Sequence, residues 1–317
     1  MPCEHGTSQR AWETARRCEL KERPLILFTL LVQLSVGAFL TLGGLYFLFL
    51  YHAGASAANA LTNSGLLAIG PLVGLGMLAS LFHLGTPRNA YKALFNWRSS
   101  WLSREILFTL LFTFSGAVFS ALQWYQIGPF YARALVAGLT GLSGLALVYS
   151  MARLYMLRTL PAWNASSTLL SFFTTTFLLG SLAAGVFMAF QTFPEAGSQL
   201  PASLHRTLAR MALSELALIW FLLLGVLLIG RPMSLPGWFK DQESDAARWR
   251  NRILLLRLAL IFGGAGVMGW LVYQQAAPSG SGNDLAALTL AAFGLVLVGE
   301  ILGRYLFYEI RPQPMSG

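Results

Sequence analysis

Residues 24–51 read PLILFTLLVQLSVGAFLTLGGLYFLFLY, a run with no charged side chain. At 1.5 Å per residue it is long enough to cross about 30 Å of hydrocarbon as a tilted helix. The 23 residues before it are polar and carry Arg10, Arg16, Arg17, Lys21 and Arg23. The apolar run is too long for a secretory h-region, so it is expected to remain as a first span rather than be cleaved.

The same reading extends along the chain. Further apolar stretches lie at roughly 61–82, 105–124, 131–157, 168–193, 212–230, 253–274 and 285–308, each sufficient for a tilted span. Apolar residues make up 56% of the sequence, charged residues only 11%, and the mean hydropathy is +0.59. That composition excludes an ordinary soluble domain. The expectation is an all-α integral membrane protein. It comprises a polar segment at 1–23, a bundle of eight transmembrane helices within 24–310 and a short tail at 311–317. A short interfacial helix is expected between the second and third spans, because Ala90, Ala93, Leu94, Trp97 and Trp101 recur at helical spacing. Its tryptophans suit headgroup depth, either as an aromatic belt or as the floor of an entrance for a lipid-soluble substrate.

Net charge is +9, and in a polytopic protein its placement matters more than its size. Threading eight spans puts Arg133, Arg206 and Arg210 on the far side and leaves the other 19 of the 22 Lys and Arg at or near the side of the N-terminus. The positive-inside rule then sets both termini in the cytoplasm. Cations scattered over juxtamembrane loops argue against a nucleic-acid partner. The outer connections are expected at 52–60, 125–130, 194–203 and 276–284 and the inner ones at 83–104, 158–167 and 231–252, and a large soluble partner is expected on the inner face.

Cys3 and Cys18 are the only cysteines, too few for an iron–sulfur cluster or a structural zinc site. No metalloprotease, Walker or nucleophile-elbow motif is present. The glycines at 70, 74 and 76, and at 138, 141 and 144, are spaced to permit close helix approach.

The chemistry-bearing residues gather at one membrane boundary. His83, Arg88, Arg104, Glu105, Arg153, Arg257, Glu300 and Arg304 all fall toward the cytoplasmic side in this threading. Ionisable groups at that depth are costly and mark function by default. A quinone headgroup needs hydrogen-bond donors at its oxygens, a proton path and positive potential, and His, Glu and Arg supply these. Each residue also has a structural reading. Arg88, Arg104 and Arg257 suit snorkelling cations, Glu300 and Arg304 stand four apart on one helix face, and Glu105 suits a helix N-terminus. On the far side, His52 and His205 offer a pair for a b-type haem, although outer-end histidines are commonly solvated. A faint echo between Ala152-Arg153-Leu154-Tyr155 and Gly303-Arg304-Tyr305-Leu306-Phe307-Tyr308 admits two four-helix halves. Such repeats occur in secondary transporters, but a transporter places its polar groups at the midplane. A purely structural anchor is the remaining alternative.

Separated motifs then align with one family. They are Leu81-Phe82-His83-Leu84-Gly85-Thr86-Pro87, Ser103-Arg104-Glu105-Ile106, Arg153-Leu154-Tyr155, Leu160-Pro161-Ala162-Trp163, and Gly299-Glu300-Ile301-Leu302-Gly303-Arg304 with Phe307-Tyr308. Gln33-Leu34-Ser35-Val36-Gly37 matches the family's opening. In this order they resemble the membrane-anchor subunit of dimethyl sulfoxide reductase, the DmsC family, over almost the whole span region. The resemblance implies an eight-helix subunit of the bacterial cytoplasmic membrane. Such a subunit anchors a molybdopterin catalytic subunit and an iron–sulfur subunit and exchanges electrons with ubiquinone or menaquinone. It implies a quinone site at His83 and Glu105. Their shared depth adds Arg153, Arg257, Glu300 and Arg304 as expected further members, and Arg88, Trp97, Trp101 and Arg104, at the same boundary, are expected to face the partner. The resemblance also implies an anchor without haem. Family members that reduce dimethyl sulfoxide carry the N-terminus outward, opposite to what the cations predict here. That difference points to the cytoplasm-facing, sulfite-oxidising complexes with DmsC-like anchors.

Overall fold

A computed structural model describes residues 9–83, 96–156, 166–193, 200–230, 245–277 and 284–309. Every regular element among them is helical. In chain order they are α1 (Gln9–His83), α2 (Trp101–Trp124), α3 (Phe130–Tyr155), α4 (Ser166–Phe190), α5 (Ala202–Gly230), α6 (Asp245–Ile261), a π-helical turn (Phe262–Met268), α7 (Gly269–Ala276) and α8 (Leu285–Glu309). Seven helical stretches are long and apolar enough to cross a membrane, the first being Pro24–Leu78 at 55 residues.

That first stretch is twice the length of an ordinary span because it doubles back. Gly54 has φ 83° and ψ 177° inside α1, a region of backbone space open essentially to glycine alone. A Cβ on Gly65 would lie 3.0 Å from Leu42 Cδ1, and one on Gly76 would lie 3.3 Å from Val32 Cγ2. Later residues thus meet earlier ones, as in an antiparallel hairpin. The connection expected at 52–60 is therefore helical on both sides of Gly54. A single residue makes the reversal, so a loop of nine is not needed.

The helix α4 sits at the centre, packed against α1, α3, α5 and α8. Small and hydroxylated residues suit it to that place. Thr174, Thr175, Thr176, Gly180, Ser181, Ala184 and Gly185 are all buried, and glycine pairs let backbones touch where no hydrophobic effect drives helices together. At the crossing with α1, a Cβ on Gly180 would fall 2.1 Å from the Gly37 carbonyl carbon. One on Gly37 would fall 1.9 Å from the Thr176 oxygen. Many hydroxyls bond within their own helices: Thr176 donates to the Phe172 carbonyl at 2.8 Å, Ser35 to Leu31 at 2.7 Å, Thr140 to Val136 at 2.8 Å and Thr289 to Leu285 at 2.7 Å. That i−4 bonding meets the demand of a medium without water. Large apolar side chains cover the outside instead, with Phe114 73% and Leu222 69% exposed, as befits helices whose solvent is lipid.

Several boundaries differ from the sequence reading. The helix α2 begins at Trp101, four residues before Glu105, because the Ser100 hydroxyl caps it by accepting from the Ser103 N–H at 3.4 Å. The helix α5 begins at Ala202, ten residues before 212, so His205, Arg206 and Arg210 are helical. The stretch 245–252, expected in a loop, forms the first turns of α6. The run Phe262-Gly263-Gly264-Ala265-Gly266 opens into a π turn where α8 comes close. A Cβ on Gly264 would lie 2.8 Å from the Ala292 carbonyl oxygen. Most of the expected interfacial helix lies outside the described residues, and its described end at Trp97–Ser99 is a turn. The close-approach reading holds for Gly76, Gly141 and Gly144. It fails for Gly70, Gly74 and Gly138, where an added Cβ meets nothing within 4 Å.

Candidate functional site at one end of the bundle

One end of the bundle collects Gln33 of α1, the start of α2, the end of α3, the start of α4, Arg257 of α6 and the end of α8. The antiparallel connections make this necessary. Helix starts and ends alternate along the sequence, so residues far apart in it share a depth.

Its innermost part is a buried ion pair. Arg257 and Glu300 are 7% and 1% exposed, and Arg257 Nη2 lies 3.0 Å from Glu300 Oε1 and 3.2 Å from Oε2. Thr175 Oγ1 donates to Oε2 at 2.8 Å. Glycine makes the contact possible, since a Cβ on Gly303 would lie 2.1 Å from Arg257 Cζ and one on Gly299 2.8 Å from Ile261 Cγ1. The pair Gly299 and Gly303, one turn apart, is the lane through which the arginine reaches Glu300. Arg257 therefore does not snorkel to the interface, and Glu300 is held from a neighbouring helix.

Beside it, Arg304 is 4% exposed and lies 3.8 Å above the Phe172 ring. It donates to Gln33 Oε1, and Gln33 Nε2 donates to the Phe172 carbonyl at 2.8 Å. The Phe172 ring also stacks on Tyr155 at 5.8 Å, and Phe307 meets the edge of Tyr155 at 5.5 Å. The two Arg-aromatic segments that echo each other in sequence thus touch in space.

The third part surrounds Trp101. Arg104 covers its ring at 4.1 Å and Arg153 at 5.1 Å, with Tyr149 against it at 5.8 Å. Arg104 also donates to the carbonyls of Trp97 at 2.9 Å and Arg98 at 2.7 Å, which tie down the turn before α2. Trp97 itself is half exposed. Arg153 Nε is buried without a partner among the described residues. In the next turn Glu105 is 5% exposed, and its Oε2 likewise has no hydrogen-bond partner among the described residues. A buried carboxyl oxygen left open is unusual enough to call for a ligand, a water or a proton. The side chains of His83 and Arg88 lie outside the described residues.

Sequence reasoning missed Gln33, Phe172 and Thr175 as members of this site. Gln33 carried a signal as the one amide in its apolar run. Phe172 and Thr175 carried none, since an aromatic and a threonine in an apolar helix are commonplace until their neighbours are known.

At the other end, His52 is exposed with its ring edge to Tyr51 at 5.2 Å. His205 is 4% exposed, with neither ring nitrogen partnered among the described residues. No cluster of three or more metal-ligating side chains occurs among the described residues. Arg210 donates to the carbonyls of Gln275 at 3.0 Å and Ala277 at 2.7 Å, tying α5 to the end of α7.

Apolar helices that bury arginines, carboxylates and aromatics at a single end define a polytopic membrane protein with a polar site at that boundary. Residues 17–310 match the model of the DMSO reductase anchor subunit, DmsC, and the protein belongs to that family. It is 28% identical to the anaerobic dimethyl sulfoxide reductase protein YnfH of Escherichia coli K12, an alignment covering 91% of this sequence and 94% of that one. With a second anaerobic dimethyl sulfoxide reductase component of the same organism it shares 27% identity, again over 91% and 94%. It is also 32% identical to a component of the sulfite dehydrogenase of Allochromatium vinosum, over 39% of this sequence and 43% of that one. No solved structure matches.

Proposed function

We propose that this protein anchors a three-subunit molybdopterin and iron–sulfur oxidoreductase in the bacterial cytoplasmic membrane and passes electrons between its iron–sulfur partner and the quinone pool. In this reading the hairpin of α1 contributes two spans, the bundle has eight, and both termini are cytoplasmic. Electrons from cytoplasmic sulfite oxidation reduce the quinone, and no haem takes part in this subunit. The observation that carries the quinone assignment is the buried Glu105, with an oxygen unpartnered among the described residues, at the end of the bundle where Arg153 also has a buried donor unpartnered among them. Each quinone reduced to quinol takes up two electrons and two protons. Glu105 and His83 deliver protons from the aqueous side, while Arg153 and the more deeply set Arg304 set a positive field for negative charge on the ring oxygens, and the Arg257–Glu300 ion pair, neutral as a unit, forms the inner wall of the site. Arg88, Trp97, Trp101 and Arg104 face the iron–sulfur partner.

A second reading is supported by the nearly full-length match to dimethyl sulfoxide reductase components. There the same site oxidises quinol and the electrons leave toward a reductase. The cation distribution supports the first.

The test is Glu105→Gln in the intact purified complex. Quinone-coupled turnover is expected to fall about 10²-fold, the usual weight of a positioned proton-transfer group. Subunit stoichiometry and turnover with a soluble artificial acceptor are expected to stay unchanged. Equal quinone turnover in the variant overturns the assignment, and a quinone analogue that leaves the spectrum of the nearest cluster unaltered favours a purely structural anchor.

A further inference from the structure

The opposite end of the bundle holds a groove that the quinone reading does not use. It lies between the first arm of α1 and the helices α2 and α3, with a volume of about 450 Å³, within the usual range of ligand sites. Its walls are apolar, with Phe39, Phe119 and Leu145 among them, and Phe47, Phe130 and Leu142 at its mouth are exposed to the lipid-facing surface. Glycine makes the space. Gly43, Gly44 and Gly138 line the groove, and a Cβ on any of them meets nothing within 4 Å. A glycine inside a helix costs roughly 1 kcal/mol relative to alanine, and here no close helix contact explains it.

The groove ends at a cation. Arg133 lines it together with the buried Gln123. Arg133 Nη1 donates to Gln123 Oε1 at 3.3 Å and to Gln126 Oε1, while Gln123 Nε2 donates to Asn59 at 2.8 Å and Asn63 at 3.1 Å. These partners are neutral amides, so they orient the guanidinium without neutralising it. Its buried Nε has no partner among the described residues. Arg133 is also one of only three cations that the charge pattern assigns to this end.

We propose that this groove binds an anionic phospholipid, with one acyl tail along the glycine-lined floor and the phosphate at Arg133. A guanidinium held by amides matches a phosphate bidentately, and the apolar length beneath it matches a hydrocarbon tail. A reacting quinone fits less well. The lining has no carboxyl or imidazole to carry protons, and Gln123 is 18 residues beyond Glu105 on one helix, about 27 Å away.

The test uses the intact complex, exchanged into nanodiscs of phosphatidylcholine and phosphatidylglycerol, released into mild detergent and weighed by native mass spectrometry. One phosphatidylglycerol is expected to stay bound to the wild-type anchor. Arg133→Gln is expected to lower its retention about tenfold, the weight of a charge-assisted hydrogen bond, and Arg133→Lys to restore much of it. Gly138→Leu, at a position where an added Cβ meets nothing within 4 Å, extends a side chain into the floor and is expected to abolish it. Gly294→Leu, at an equally open glycine of α8 outside the groove, is expected to leave retention intact, and quinone turnover is expected to be unchanged in the Arg133 variants. Retention by Arg133→Gln and Gly138→Leu equal to wild type overturns the proposal. So does a retained phosphatidylcholine or quinone that Gly138→Leu displaces.

Discussion

Arg257 and Glu300 neutralise each other in the buried interior, and each is needed chiefly because the other is there. Removing one member of a buried pair leaves an uncompensated charge and typically costs about 3–5 kcal/mol, whereas replacing both by apolar groups costs far less. Arg257→Ala is therefore expected to lower the thermal unfolding midpoint of the detergent-solubilised complex sharply, and Arg257→Met with Glu300→Leu to recover most of the loss. A single variant as stable as wild type contradicts the geometry. The Gly303 lane belongs to the same argument. Gly303→Ala places a methyl where the guanidinium lies, so it is expected to destabilise the protein by about 1–3 kcal/mol. That loss should shrink when Arg257 is already alanine, a coupling that a double-mutant cycle reads directly.

At the scale of elements, the reversal of α1 and the crossing of α1 with α4 each rest on glycine for a different reason. Gly54 is required for its backbone angles, with open space around it. Gly54→Ala is thus expected to strain the reversal by about 1–3 kcal/mol without touching packing, which limited proteolysis and the unfolding midpoint measure. Gly180 is required for its missing side chain, because any Cβ there meets the Gly37 backbone. Gly180→Leu is expected to separate α1 from α4 and displace Gln33 from Arg304, with loss of assembled complex in the membrane. The sequence showed both glycines equally plainly and distinguished neither role.

Across the whole molecule, the antiparallel run of helices brings polar and aromatic residues from α1, α2, α3, α4, α6 and α8 to one end and leaves the groove at the other. In the proposed reading, the placement of cations sets the end holding Glu105 and Arg304 in the cytoplasm. A green fluorescent protein fused to the C-terminus is expected to fluoresce and alkaline phosphatase at the same point to be inactive. The reverse result places the catalytic partner outside and supports the quinol-oxidising reading. Much of this was legible in the sequence. Eight apolar stretches and the boundary holding Glu105, Arg153 and Arg304 follow from hydropathy and residue chemistry, both local properties, whereas the helical reversal at Gly54 and the early starts of α5 and α6 do not.

The sequence by itself determined that the protein is helical and apolar, where its charges fall, and, through ordered motifs from Gln33 to Tyr308, the family to which it belongs. Only the tertiary structure decided the partners. It set Glu300 against Arg257 and Thr175 rather than its helical neighbour alone, and placed Arg304 on Phe172 and Gln33. Among the described residues it also left a Glu105 oxygen without a partner and the space beside Gly138 unfilled. The physical reason is that a side chain's depth is set by its own helix, whereas its partner is set by which helix crosses there, and crossings depend on contacts between residues far apart in the sequence.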